Sequence, residues 1–208
     1  RKKKDHKKKR DNTTSRARHN VANVMGAVIL ASNFGIPEEK ILSLCPNLPP
    51  VPGRLEFVPN KLGVVIVIDY AHTDDAMRNV MRCLREITEN SLWIVFGCGG
   101  DRDKGKRPKM GRAAEEMADK VVITTDNPRT EDPEAIVKDI TDGMKLKKHV
   151  VILDRKEAIE HAVKEAKEGD VVLIAGKGHE TYQEINRVFY DCDERMITKE
   201  IISKIENA

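Results

Sequence analysis

The sequence predicts an α/β fold: a doubly wound, mostly parallel sheet with helices on both faces, preceded by a short helical segment. Three observations predict it. Five short β-branched runs recur between residues 62 and 175, nearly continuous in apolar residues, as in strands covered on both sides. Helix-period segments fall between them, giving the βαβα order that a parallel sheet requires. A length of 208 residues with 39% hydrophobic content is enough to fill one large core. The architecture is Rossmann-like.

Taken in order, residues 1–18 hold ten Lys/Arg and two Asp, a net of +8 that leaves −5 for the rest of a chain of formal charge +3. A run such as Arg1–Arg10 (RKKKDHKKKR) repels itself and buries nothing apolar, so a disordered basic tail is expected. It has no interleaved aromatic for stacking and reads as a solvated tail, with no specific nucleic-acid partner. His19–Asn33 then places Val21, Val24, Met25, Val28 and Ile29 near one face at helical spacing. Pro37-Glu38-Glu39 suits a first turn, and Ile41, Leu42 and Leu44 continue a second helix to Pro46. Four of the nine prolines crowd Pro46–Pro52. Residues 19–52 therefore read as a helical segment and linker, and residues 53–208 as the main domain.

In that domain the strands are expected at Leu62–Asp69, Leu92–Phe96, Val121–Thr124, Val150–Leu153 and Val171–Ala175. The helices are expected near Asp75–Ile87, Pro108–Asp119, Pro133–Met144 and Lys156–Lys167. No apolar run is long enough to cross a bilayer or to act as a signal peptide, so a soluble protein with no membrane partner is expected. Cys45, Cys83, Cys98 and Cys192 form no C-x-x-C pair, which argues against a zinc knuckle or redox dithiol and suits a reducing cytoplasm.

Ligands of open parallel sheets collect beyond the carboxyl ends of the strands, and four motifs fall there. After the first strand, Asp69-Tyr70-Ala71-His72 offers a carboxylate for ribose hydroxyls and an aromatic for a base; equally, Asp69 can cap the helix near Asp74. After the second, Gly97–Arg107 (GCGGDRDKGKR) has the G-x-x-x-x-G-K spacing of a P-loop, but Arg107 stands where a magnesium-binding hydroxyl belongs, and Asp101 and Asp103 oppose a phosphate. An anion-accepting turn of backbone N–H groups with Arg102 fits better, the plain alternative being a tight turn under the next helix. After the third, Asp126-Asn127-Pro128-Arg129 suits a zwitterion: Arg129 can grip a carboxylate bidentately while Asp126 and Asn127 accept from an ammonium. A capped turn with a surface Arg is the plain alternative. After the fifth, Gly176-Lys177-Gly178-His179-Glu180 permits close backbone approach and adds a carboxylate. Asp154-Arg155, after the fourth strand, reads as an ordinary helix start.

Together these segments resemble the Mur ligases. Asn20-Val21-Ala22-Asn23 is similar to the N-x-x-N segment that ends the family's ATPase domain, Val51–Glu56 (VPGRLE) to the start of its C-terminal domain, and Asp69–Thr73 to its D-Y-A-H-T motif. Phe96–Pro108, Thr125–Arg129 (TDNPR) and Gly176–Glu180 (GKGHE) resemble the muramyl-tripeptide synthetase branch, with D-N-P-R like the version that selects meso-diaminopimelate. The resemblance runs from about His19 to the C-terminus. It implies that Arg102, Asp126, Asn127, Arg129, Gly176 and Glu180 hold the incoming amino acid, and that Asn23, Arg54, Asp69, Tyr70 and His72 lie near ATP. It implies a cytoplasmic, monomeric, ATP- and Mg2+-dependent ligase in which the terminal D-Glu carboxylate of UDP-MurNAc-L-Ala-D-Glu becomes an acyl phosphate that the amino acid's amine attacks. The family's P-loop and UDP-sugar domains do not appear before His19, so the chain by itself is expected to bind without catalysing. Asp74 departs from the family, which usually has Pro there. Two other readings stay open: a related ligase using L-lysine or glutamate, and a stand-alone amino-acid-binding module.

Overall fold

The computed structural model describes residues 18–47, 49, 51–146 and 148–207; the basic run before Arg18 lies outside the described residues. The chain divides into two compact units, Arg1–Pro50 and Val51–Ala208.

In the first unit, α1 (Arg18–Asn33) and α2 (Glu38–Leu44) are followed by a 3-10 turn at Cys45–Asn47. Gly35 ends α1 in the left-handed region at φ +81°, with Gly35 N donating to Ser32 O and Ile36 N to Ala31 O. That pairing closes the last turn as a Schellman motif, a conformation glycine adopts without Cβ strain. On α1, Met25, Ile29 and Leu30 are more than half exposed.

The second unit holds β1 (Glu56–Val58), β2 (Val65–Asp69), α3 (Asp74–Arg85), β3 (Leu92–Phe96), α4 (Lys106–Met117), β4 (Lys120–Ile123), α5 (Pro133–Thr141), β5 (Val150–Val151), α6 (Arg155–Glu165), β6 (Val171–Ala175), the hairpin β7 (Tyr182–Ile185) and β8 (Val188–Asp191), and α7 (Glu194–Glu206). The six-stranded sheet runs β1-β2-β6-β3-β4-β5. Only β1 is antiparallel to its neighbour. Alternate residues serve opposite faces. Ile66, Ile68, Trp93, Val95, Val122, Val172 and Ile174 pack with Ala158, Ile159 and Ala162 of α6 and with Ile201 and Ile202 of α7. Val67, Ile94, Phe96, Ile123 and Leu173, all fully buried, turn to the other face, where α3 and α4 lie on the sheet with buried Met77, Met81 and Met110. The expected doubly wound α/β fold is therefore present, with helices on both faces.

Three parts differ from expectation. Strand β5 is two residues long and exposed, because it is the sheet edge and pairs only with β4. β1, too short at three residues to register as a periodic run, extends the opposite edge. The β7–β8 hairpin and α7 complete the chain beyond the last strand expected from sequence. Near the amino ends of the central strands, the indole of Trp93 donates to Asp170 Oδ2 at 2.9 Å, and the Asp170 carboxylate also accepts from Ser91 N and Lys167 N. Burial alone would raise the pKa of Asp170; these three donors outweigh it and hold it below the ordinary carboxylate range.

The strand order positions the site. β6 slots between β2 and β3, so the loops after β2, β6, β3 and β4 stand side by side along one rim. These loops carry the four sequence motifs.

Candidate active site

One half of the rim is built around Tyr70. Asp69, 5% exposed, ends β2 and accepts Leu55 N at 2.8 Å on Oδ2 and Ala71 N at 2.8 Å on Oδ1. It ties the Arg54 segment to the Tyr70 loop. The cap of α3 is instead Thr73, whose hydroxyl accepts from Ala76 N, so the capping role considered for Asp69 falls to its neighbour. Arg54 lies over the Tyr70 ring, 4.5 Å from its centroid, and the rings of His72 and His179 stand 4.7 and 5.3 Å away. Such a cation–π contact with flanking rings gives an exposed cationic, π-rich surface. The closeness depends on Gly53 and Gly178. A Cβ on Gly53 would lie 2.1 Å from Gly178 C, and one on Gly178 would lie 2.7 Å from Gly53 O and 2.8 Å from Tyr70 Cβ; both residues have positive φ. Arg54, Asp69, Tyr70 and His72 thus come together in one cluster. Asn23 sits on α1, exposed, in the other unit.

The second half is built around Asn127, 3% exposed. Its Oδ1 accepts from Lys177 Nζ at 2.9 Å and Glu184 N at 3.0 Å, and its Nδ2 donates to Glu180 Oε2 at 3.0 Å. Both lone pairs of the amide oxygen are therefore taken by protein donors, and Asn127 acts by holding Lys177 and Glu180 rather than by accepting an ammonium directly. Lys177 is fully buried; besides Asn127 it meets Glu180 Oε2 at 3.4 Å and faces the Tyr182 ring. Gly176, at φ +120°, leaves room for Asp126: a Cβ there would stand 2.8 Å from Asp126 Oδ2.

Arg129 and Arg102 flank Gly99, where a Cβ would meet Arg129 Nη1 at 3.1 Å and Arg102 Cγ at 3.7 Å. Arg129 Nη1 donates to Gly100 O at 2.8 Å and its Nε pairs with Glu184 Oε2 at 2.9 Å. Among the described residues, Arg129 Nη2, the Arg102 guanidinium, Glu180 Oε1 and Asp126 Oδ2 have no hydrogen-bond partner in the protein. Two cations and two carboxylates therefore keep open valences along one rim.

The Gly-rich loop is tied to its neighbours. Three of its backbone donors are paired within the protein: Gly100 N goes to Asn127 O, Asp101 N to Glu131 Oε1 and Gly105 N to Asp103 Oδ1. The Arg102 side chain stays available to an anion. Arg107 is fully buried and donates to both Glu131 oxygens, to Asp139 Oδ2 at 2.9 Å and to Gly99 O at 3.1 Å. It locks this loop to the one after β4. The Arg107 hydrogen bond, reinforced by Asp101 N and Lys104, draws the pKa of Glu131 down to about 2.

Three participants were not visible in sequence. Lys177 lay inside a motif whose glycines and glutamate drew the reading. Glu184 sits on β7, and the turn Asn186-Arg187 between two short strand-like runs was the signal that would have found it. Arg155, taken for a helix start, is 2% exposed beneath the rim, donating to Thr125 O at 2.8 Å and Ala175 O at 2.9 Å and pairing with Glu194 at 2.5 Å. Burial alone would lower its pKa; the carboxylates of Glu194 and Asp126 more than offset that and keep it charged.

With this geometry in view, the chain compares with known proteins as follows. It is 46% identical over 185 residues to UDP-N-acetylmuramoyl-L-alanyl-D-glutamate–2,6-diaminopimelate ligase of Solibacter usitatus, covering 88% of this chain and 37% of that protein. It is 49% identical over 157 residues to the ligase of the same name from Clostridioides difficile, covering 74% and 32%. The chain thus spans under two fifths of the length of these curated relatives. A solved structure of a ligase of that name superposes with a TM-score of 0.74 at 42% identity, over 92% of this chain and 40% of the other. UDP-N-acetylmuramate-alanine ligase from Thermotoga maritima, at 19% identity and a TM-score of 0.62 over 92% and 38%, shares the fold. Residues 53–178 match the family described as Mur ligase, glutamate ligase domain, and the chain belongs to that family.

Proposed function

We propose that residues 53–208 are the amino-acid-binding domain of a cytoplasmic, ATP-dependent amide ligase that adds meso-diaminopimelate to UDP-MurNAc-L-Ala-D-Glu in peptidoglycan synthesis. The observation that carries the reading is the set of open valences. Diaminopimelate has two carboxylates and two ammonium groups, and the rim offers Arg129 and Arg102 beside Asp126 and Glu180. Charge-assisted contacts of this kind are the strong ones, and their spacing gives specificity. Relatives at 42–49% identity carry 2,6-diaminopimelate in their names, which supports the same choice.

Arg54, Tyr70 and His72 fit a nucleotide: a cation for phosphate and π faces for a base, held in place by Asp69. ATP, when bound, supplies the phosphoryl group that activates the acceptor carboxylate. Among the described residues no group of three or more His, Cys, Asp or Glu gathers as a metal site. The chain's own part is positioning. Arg129 and Arg102 fix the amino acid by its carboxylate, while Glu180 Oε1 and Asp126 Oδ2 hold the ammonium groups and orient the amine for attack.

Kinetics of the complete ligase test this reading. L-lysine lacks the distal carboxylate and would leave the Arg129 fork unmatched, a loss on the order of 2 to 5 kcal/mol, or roughly thirty-fold to several thousand-fold in kcat/KM. Arg129→Ala should remove most of that preference, and Arg129→Lys should restore little, since an ammonium cannot reproduce the fork. Equal losses for both amino acids would mean that Arg129 serves folding and would sink the assignment.

A further inference from the structure

The β7–β8 hairpin contains none of the residues that the sequence singled out, yet it grips Arg129. Arg129 N donates to Glu184 O at 3.0 Å and Asn186 N donates to Arg129 O at 2.7 Å, so Arg129 pairs with Ile185 as a one-residue parallel bridge. This holds an arginine at φ +52°, a conformation that L-residues adopt only when their surroundings enforce it. The same hairpin then fixes the side chain. Glu184 Oε2 takes the Nε edge of the guanidinium at 2.9 Å, and Gly100 O takes one hydrogen of Nη1 at 2.8 Å. Nη2, which has no hydrogen-bond partner among the described residues, is the part of the guanidinium left able to meet a carboxylate.

We propose that Glu184 is a positioning residue that aims the Arg129 fork at the distal carboxylate of the incoming amino acid. Acceptor selectivity then depends on a side chain that touches no substrate. This deepens the proposed function and rests on it. The rival role is a stand-in carboxylate that caps Arg129 until the substrate displaces it. The geometry favours aiming on two counts. The contact is on the Nε edge and leaves Nη2 open. Glu184 is also pinned by its own backbone, N to Asn127 Oδ1 and O to Arg129 N, so it is held beside the guanidinium rather than poised to leave.

The experiment is an NMR titration of the 15N-labelled 208-residue chain with meso-diaminopimelate and, separately, L-lysine, in the wild type, Glu184→Gln and Glu184→Leu. Glu184→Leu loses the Nε ion pair, so its preference for diaminopimelate should fall about ten-fold while lysine binding holds. Glu184→Gln, whose amide oxygen still accepts from Nε, should keep most of the preference, and the Arg129 Nε–H resonance should move in the Leu variant only. Amide spectra elsewhere report that each variant is folded. Tighter diaminopimelate binding in Glu184→Leu would establish capping and overturn aiming; so would an unchanged preference, or an equal loss in Glu184→Gln. A wild type with no preference overturns the functional reading itself, and this inference with it, and is distinguished by appearing before any substitution.

Discussion

Around the Arg107 guanidinium, five hydrogen-bond and ion-pair contacts close a junction between the loops after β3 and β4: both oxygens of Glu131, Asp139 and Gly99 O, with Lys104 adding to Glu131. Replacing this cation by an apolar chain leaves two carboxylates facing each other. Arg107→Met should therefore destabilise the domain by about 3 kcal/mol, read as a lower urea midpoint at unchanged slope. The same pair sets an acid dependence. Glu131 is drawn from an ordinary 4.5 to about 2 by Arg107, so in the folded state it binds its proton less readily than in the unfolded chain. Its contribution is complete above about pH 4.5 and is lost as the pH falls toward 2. In Arg107→Met that part of the acid sensitivity should vanish, which stability curves at pH 3 and pH 6 will show. Sequence reading saw Arg107 as a defect in a P-loop pattern, because spacing reveals the mismatch but not the two carboxylates, 24 and 32 residues away, that explain it. Asp126, Arg129 and Glu180 were legible because they sit in the loops where strand ends deliver ligands. Asn127 was half legible: it lies on the rim with the others, but its amide oxygen is taken by Glu184 N of β7 and by Lys177.

Among the elements, the central strands and α3 to α6 were readable because burial on both faces writes continuous apolar runs and helices write their own apolar period; the structure adds their caps, Thr73, Asp132 and Asp154, each accepting a first-turn N–H. The hairpin was not readable, because its strands are half-buried or exposed and carry no burial pattern. Its turn places Asn186 at φ +50° and Arg187 at φ +64°, the two-residue geometry that best matches strand twist. Arginine is costly at the second position. Arg187→Gly removes roughly 1 to 2 kcal/mol of local strain and gives back part of it as unfolded-state entropy, so a net gain of about 0.5 kcal/mol is expected in thermal or urea melts. Because Glu184 and Asn186, which hold Arg129, are unchanged, that gain should appear without any change in amino-acid preference.

At the scale of the whole molecule, sequence order implied parallel strands but not their neighbours. β6, the last strand of the sheet in the chain, lies between the first two parallel ones, and this insertion brings Lys177 and Glu180 against Asn127. Nothing local encodes it; it follows from closing the sheet over one core, with Arg155 and Glu194 buried together where α6 and α7 begin. The same topology separates the sheet into a chemical end and a quiet end, and the Trp93–Asp170 contact lies at the quiet one. Trp93 is the only tryptophan in the chain, and on β3 it stands three residues, about 10 Å, before the rim. It is 8% exposed, bonded to Asp170 and edge-on to His161. The protein therefore carries a built-in optical gauge of its framework: excitation at the indole band should give a blue-shifted emission that moves to the red in one step with urea. Saturating diaminopimelate should leave that emission in place, and a shift on adding the amino acid would show instead that filling the rim strains the sheet through its full length.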